Sequence, residues 1–187
     1  MTVRASTRAG GTRVIGVDPG LNATGYAVIE CGKAVRLLEA GLIRLPKSAG
    51  NNLPVRLELL FNGLREVMQE FRPQTMCLEE IYSHAEYPRT SVLMGHARGV
   101  ICLAARLALV PVVSLSAKRI KQSVTGNGNA SKVQVQRAVQ HFFSLERVPH
   151  PPDVADALAA ALCFADSQRA SGNGWAMRQS RRPESMI

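Results

Sequence analysis

The sequence predicts an α/β domain built on a mixed five-stranded sheet flanked by helices, and three observations carry that expectation. Short apolar runs of strand character come first, at residues 14–17, 25–29 and 34–45. Two more, at 75–78 and 110–115, are each preceded by a stretch of helical apolar spacing. A chain of 187 residues with 46% hydrophobic side chains also suits one compact core rather than two.

In chain order, turns at Pro19-Gly20 and near Gly32 join the first three runs into an antiparallel meander. Leu53, Leu57, Leu60, Phe61, Leu64, Val67, Met68 and Phe71 then recur at helical spacing after an Asn52 cap, and Arg72-Pro73 stops the helix. Residues 75–78 form a short buried strand, 91–109 a second helix, 110–115 a strand and 117–124 a short helix. Gly126-Asn127-Gly128-Asn129 is a flexible loop leading into Ser131, which with Gln134 has the spacing of a capping box, so a helix runs from there to about Phe143. The last helix opens after Pro151-Pro152 at Asp153 and continues toward Arg169. Residues 1–13 read as a flexible basic arm, 14–168 as one domain and 169–187 as a disordered basic tail.

Lys and Arg number 23 against 14 Asp and Glu, a net charge of +9, which draws the chain to a polyanion such as nucleic acid or an acidic membrane surface. The excess is segregated. Residues 81–145 hold eight basic side chains (Arg89, Arg98, Arg106, Lys118, Arg119, Lys121, Lys132 and Arg137) against Glu86 alone. The arm and the tail each add three more positive charges, so the remaining body is net acidic: a basic surface stands beside something that needs carboxylates.

The four cysteines, Cys31, Cys77, Cys102 and Cys163, include no Cys-x-x-Cys pair. Cys77, Cys102 and Cys163 lie in apolar runs and read as small buried hydrophobes. With no signal-peptide core behind the basic N-terminus, a reducing cytoplasm is the expected location, although an acid-free Ser/Thr/Arg arm also resembles an organelle presequence. The longest apolar stretch, 99–115, is broken by Arg106 and Pro111, so no membrane span is expected.

The chemistry points to the acids. Asp18 closes the first strand and Glu79 the fourth, and an acid directly after a buried strand emerges at the carboxyl end of the sheet, where α/β folds place their ligand crevices. Asp153 and Asp156, three apart on the last helix, share nearly one side. Among Ala-rich neighbours that helix can lie close to the sheet. Carboxylates converging in a crevice repel one another and require cations. Oxygen ligands without His or thiolate favour Mg²⁺ or Mn²⁺, and two such ions suit hydrolysis of a phosphodiester by in-line displacement.

Each acid also has a structural reading. Asp18 before Pro-Gly is an ordinary turn residue; Asp153 after Pro-Pro is a natural N-cap, and Asp156 suits the positive end of a helix dipole. Glu79 and Glu80 face opposite ways, and alternation alone does not say which points inward.

The segments VIGVDPGLNATGYAVI (14–29), CLEEIY (77–82), HARGV (96–100), AKRIKQSVTGNGNASKVQVQ (117–136) and DVADALAAAL (153–162) together resemble the RuvC family of bacterial Holliday junction resolvases. The resemblance implies a ribonuclease H-like fold over residues 14–168 and a homodimer that nicks two strands of a four-way junction symmetrically. It assigns catalysis and metal binding to Asp18, Glu79 rather than Glu80, Asp153 and Asp156, with two Mg²⁺ or Mn²⁺ ions in each active site. Lys121 and Lys132 match basic residues near the scissile phosphate, Lys132 being counted with the catalytic residues, and Tyr82 matches an aromatic position at the opened crossover. A cation in the first turn of a helix opposes the dipole, so Lys132 is better explained by phosphate than by stability. With these three, Arg89, Lys118 and Arg119 are the candidate DNA contacts. The resemblance also implies cooperation with the RuvA–RuvB branch-migration complex, and a dimer interface at or near the helix 91–109.

Two other classes compete. An actin-like or sugar-kinase-like ATPase shares the Asp-x-Gly hairpin but needs a second phosphate loop in a longer chain. A non-catalytic junction binder needs the basic region and no carboxylate cluster.

Overall fold

The computed structural model describes residues 11–20, 23–44, 52–80 and 88–170. Most of the basic arm, Tyr82 and the tail beyond residue 170 lie outside the described residues. Ten elements run β1 (Thr12–Asp18), β2 (Ala23–Cys31), β3 (Val35–Arg44), α1 (Leu53–Phe71), β4 (Thr75–Glu79), α2 (Pro88–Leu107), β5 (Val112–Leu115), α3 (Ala117–Thr125), α4 (Lys132–Phe142) and α5 (Pro152–Ala170). The five strands form one sheet in the order β3-β2-β1-β4-β5. β1–β2 and β2–β3 pair antiparallel, while β1–β4 and β4–β5 pair parallel, giving the mixed sheet expected from the order of elements.

Local chemistry sets the boundaries. Asn52 caps α1 by accepting from the Val55 N–H, and Arg72 ends it in the left-handed region with φ 49°, a turn that the following Pro73 makes final. The capping box at the start of α4 is present in both directions between Ser131 and Gln134. β5 starts later than the apolar pattern predicts. Leu109 takes φ 58° and the Val110 N–H donates to the Ala105 carbonyl, so Val110 closes the end of α2 instead of joining the ladder. α2 starts earlier than predicted, because a proline at the head of a helix sacrifices no hydrogen bond. β1 likewise begins two residues before the apolar run: the Arg13 guanidinium donates to the Phe71 carbonyl at 2.8 Å and lies 3.6 Å from Glu30, fastening that end of the sheet.

Two apolar layers enclose the sheet. On one face Ile15, Val17, Val28, Met76 and Leu78 pack against Leu60, Leu64 and Met68 of α1 and Ile101, Ala104 and Ala105 of α2. Truncating Leu64 or Ile101 to Ala costs about 2–5 kcal/mol there. On the other face Val14, Ala27, Ile29 and Cys77 pack against α5, with Ile120, Val135 and Val139 of α3 and α4 behind it. α5 is buried on almost every side from Val154 to Cys163, wider than the single stripe its helical wheel predicts, because α3 and α4 cover the side that the sheet does not.

Glycines on the sheet set how closely α5 approaches. A Cβ at Gly16 would lie 2.0 Å from the Ala157 carbonyl oxygen, and one at Gly25 would lie 2.1 Å from the Asp153 carbonyl oxygen. The backbone of α5 therefore rests directly on β1 and β2. Cys31, Cys77 and Cys163 are buried, whereas Cys102 is only half-buried; all four are free. Among the described residues no helix is long and apolar enough to cross a membrane.

Candidate active site

Asp18 and Glu79 stand at the carboxyl ends of neighbouring parallel strands, one residue beyond the paired Val17 and Leu78. Alternation then fixes their direction. Gly16 faces α5, so Asp18, two residues on, faces it as well; Cys77 belongs to the α5-side core, so Glu79 does too. Glu80 faces the other way, and its N–H extends the ladder to the Leu115 carbonyl at 2.9 Å. The choice that alternation leaves open in the sequence is thereby made by the position of α5.

The first turns of α5 bring the other two acids. Its N-terminal end rests on Gly25, the residue paired with Asp18, which places Asp153 and Asp156 over the end of β1. Asp153 lies in the first turn and not at the cap, since α5 opens one residue earlier at Pro152. From the opposite side α4 contributes Lys132, whose Nζ is 3.7 Å from Asp156 Oδ2.

The electrostatics record how close this group is. Asp18 is pushed up to about 8, first by burial and then by the charges of Asp156, Glu79 and Asp153, with Lys132 opposing. Glu79 is raised by burial and by Asp156, against Lys132 and Lys121. Burial also raises Asp156, with Lys132 and Lys121 pulling it down and Asp153 pushing it up. Four carboxylates are thus within reach of one another's charge, with the ammonium groups of Lys132 and Lys121 acting on them. An acid raised to about 8 by burial first and by three neighbouring carboxylates second is in a site short of positive charge.

The donor set fits hard divalent cations: four oxygen-bearing acids, with no His or thiolate among them. Among the described residues no three His, Cys, Asp or Glu side chains are drawn together closely enough to hold an ion. The carboxylates are nonetheless within reach of one another's charge.

The remaining candidates are dispersed. Lys121 lies on α3 and its charge is felt at Glu79 and Asp156. Lys118 is exposed beside the Gly126–Asn129 loop, where a Cβ at Gly128 would meet its stem at 2.8 Å. Arg119 is exposed and turned toward α5, its charge acting on Cys163 rather than on the acids. Arg89 sits in the first turn of α2, with its side chain outside the described residues, as is all of Tyr82. One residue escaped the sequence reading. Arg98, counted there with the basic surface, turns inward and donates to the Glu79 carbonyl and, at 2.6 Å, to Ser114 Oγ. A cavity between α3, α4 and α5, lined by Ser123, His141, Phe142 and Asp166 among others, lies apart from the four acids.

Known proteins resemble this chain over most of its length. The sequence model of a family described as crossover junction endodeoxyribonuclease RuvC matches residues 14–164. A RuvC from Rhodopirellula baltica is 50% identical over 151 residues, covering 80% of this chain and 84% of that one. A RuvC from Halorhodospira halophila is 42% identical over 159 residues, covering 85% and 93%. Among solved structures, Thermus thermophilus RuvC in complex with Holliday junction substrate superposes with a TM-score of 0.75 at 30% identity, covering 87% of this chain and 97% of that one.

Proposed function

The chain belongs to the RuvC family of crossover junction endodeoxyribonucleases, and from that premise we propose how its residues cut a Holliday junction. It is a nuclease of recombination and repair that resolves four-way junctions. The observation that carries the assignment of roles is that Asp18, at the carboxyl edge of the sheet, feels the charges of Glu79, Asp153, Asp156 and Lys132.

Asp18, Glu79, Asp153 and Asp156 would hold the divalent ions, two Mg²⁺ or Mn²⁺ in this reading. Bound there, divalent ions supply the charge that makes a water nucleophilic and stabilises the leaving oxygen of an in-line displacement. The chain's own work is positioning. Asp18 and Glu79 are fixed by the strands that carry them, and the Asp pair by the contact of α5 with Gly16 and Gly25. Lys132, 70% exposed and yet within reach of Asp156, places an ammonium where a phosphate can take it over. Lys121 offers a second cation to the same acids, Lys118 and Arg119 are further candidate contacts for the junction arms, and Arg89 and Tyr82 are assigned to DNA by the family resemblance alone.

The same reading makes the protein a homodimer joined through α2. Val92, Leu103 and Leu107 are 60%, 52% and 64% exposed on that helix, and added Cβ atoms at Gly95 and Gly99 would meet nothing within 4 Å. Such a stripe, apolar with small residues that admit close approach, suits a second copy of itself. Two sites related by a two-fold axis then match a two-fold symmetric substrate. The four free cysteines suit a reducing cytoplasm, and a branch-migration complex of RuvA and RuvB is the proposed partner there.

The deciding experiment incubates the protein with labelled four-way and linear duplex DNA, with Mg²⁺, with Mn²⁺ and with EDTA. Paired, ion-dependent nicks confined to the junction are expected, and Asp18→Asn should bind the junction without nicking it. Nicking that survives in Asp18→Asn overturns the assignment of roles.

A further inference from the structure

We propose that Arg98 is a positioning residue for Glu79, holding the last carbonyl of β4 from α2 and so fixing where the Glu79 carboxylate enters the cluster of acids. The inference rests on the reading of Glu79 as an ion ligand given above.

β4 ends on a carbonyl that lacks a strand donor. Hydrogen bonds along β4 alternate in direction: the Met76 N–H goes to Pro111 and the Glu80 N–H to Leu115, both on the β5 side. The Glu79 carbonyl, at the other end of the Glu79–Glu80 peptide, therefore points toward β1. In the β1–β4 register its donor would come from the residue after Asp18, and that residue is Pro19, which has no N–H. The Pro-Gly turn that ends β1 thus orphans the carbonyl of the neighbouring acid.

Arg98 supplies that bond. Its Nη1 donates to the Glu79 oxygen while Nη2 donates to Ser114 Oγ on β5, so one planar guanidinium spans the ends of two strands. Its neighbours Ala97 and Ile101 are buried against the sheet, which fixes the base of the side chain. A charge-assisted bond to the backbone of a ligand residue sets the direction in which that residue's side chain leaves the strand. The guanidinium is thereby engaged by two protein acceptors.

The test uses the full chain and three variants: Arg98→Met, Arg98→Lys and Ser114→Ala. Mn²⁺ binding is titrated calorimetrically without DNA, beside junction affinity, single-turnover nicking at saturating ion, and thermal melting. Arg98→Met should weaken Mn²⁺ binding on the order of tenfold and slow nicking by roughly 10- to 100-fold while junction affinity holds. Arg98→Lys, which keeps one donor, should recover part of both, and Ser114→Ala should show a smaller loss of the same kind. If Arg98→Met melts too low to assay, the other two variants decide. A variant set that lowers the melting temperature but leaves Mn²⁺ affinity and nicking at their original values overturns the proposal. A wild-type protein that binds Mn²⁺ but fails to nick junctions overturns the catalytic reading instead, and leaves the Mn²⁺ comparison to judge Arg98.

Discussion

Lys132 and Asp156 approach to 3.7 Å across the entrance of the acid cluster, the lysine side chain 70% exposed and the aspartate 19%. A pair so unequally solvated contributes little to stability, since water screens the exposed partner. Its use is to lower the repulsion among the acids while leaving the ammonium free to turn outward. Lys132→Met should therefore melt near the wild-type temperature but nick on the order of 100-fold more slowly. Junction affinity measured against salt should lose about one unit of slope. Unchanged single-turnover nicking would remove Lys132 from the phosphate.

Burial and three like charges push Asp18 up to about 8 without metal, and the sign of the consequence is fixed. Between an ordinary carboxyl value and about 8 the folded protein holds a proton that the unfolded chain has released, so stability is lost as pH rises through that window. Glu79 and Asp156, raised for the same leading reason, add to the slope. In EDTA the melting temperature should fall from pH 5 to pH 9. Asp18→Asn should flatten much of the fall and, at pH 8, melt at least about 4 °C above wild type, each kcal/mol being worth about 2–4 °C in a chain of this size. Adding Mg²⁺ should raise wild type more than the variant, because ligand binding stabilises the state that binds it. A melting temperature independent of pH in EDTA would contradict the crowding of these acids.

Gly16 and Gly25 carry the seating of α5, and the two should fail differently. At Gly16 a Cβ would collide with the backbone of Ala157, in the middle of a helix that cannot retreat, so Gly16→Ala should destabilise by about 3 kcal/mol or more. At Gly25 the collision is with Asp153, in the first turn, where the helix end can lift. Gly25→Ala should then fold but bind Mn²⁺ more weakly and nick more slowly. Chemical denaturation distinguishes the first outcome, and calorimetric titration the second.

Much of this site was legible because its parts are local. A strand that ends in an acid, a capping box at Ser131 and Gln134, and two aspartates three apart are each read within a few residues, and the strand order brings them together. What was hidden depends on tertiary packing. Arg98 looks like every other base between Glu79 and Asp153, and the donor missing at Pro19, just past the end of a neighbouring strand, is not read from the sequence around Arg98. The all-round burial of α5 was equally invisible, since its wheel shows one stripe and the second cover comes from α3 and α4. Val110 reads as strand by composition, but the end of α2 claims its N–H first.

The stripe on α2 offers the last prediction. Leu103 and Leu107 are more than half exposed, each on the outer side of a helix whose inner side packs on α1 and the sheet, so a charge there costs the isolated fold little. Leu103→Glu with Leu107→Glu should leave the melting curve of dilute protein within a few degrees of its original position. In a two-fold interface each substitution is met twice, and four like charges would face one another without solvent. Sedimentation should therefore shift from dimer to monomer, and junction products should change from paired nicks to single ones. Gly99→Ala separates close approach from apolar area: in an exposed helix interior it favours the helix by about 0.5–1 kcal/mol, yet it holds two copies of α2 further apart. A more stable protein with a weaker dimer is the expected result, and an undiminished dimer in both variants would place the interface on another face.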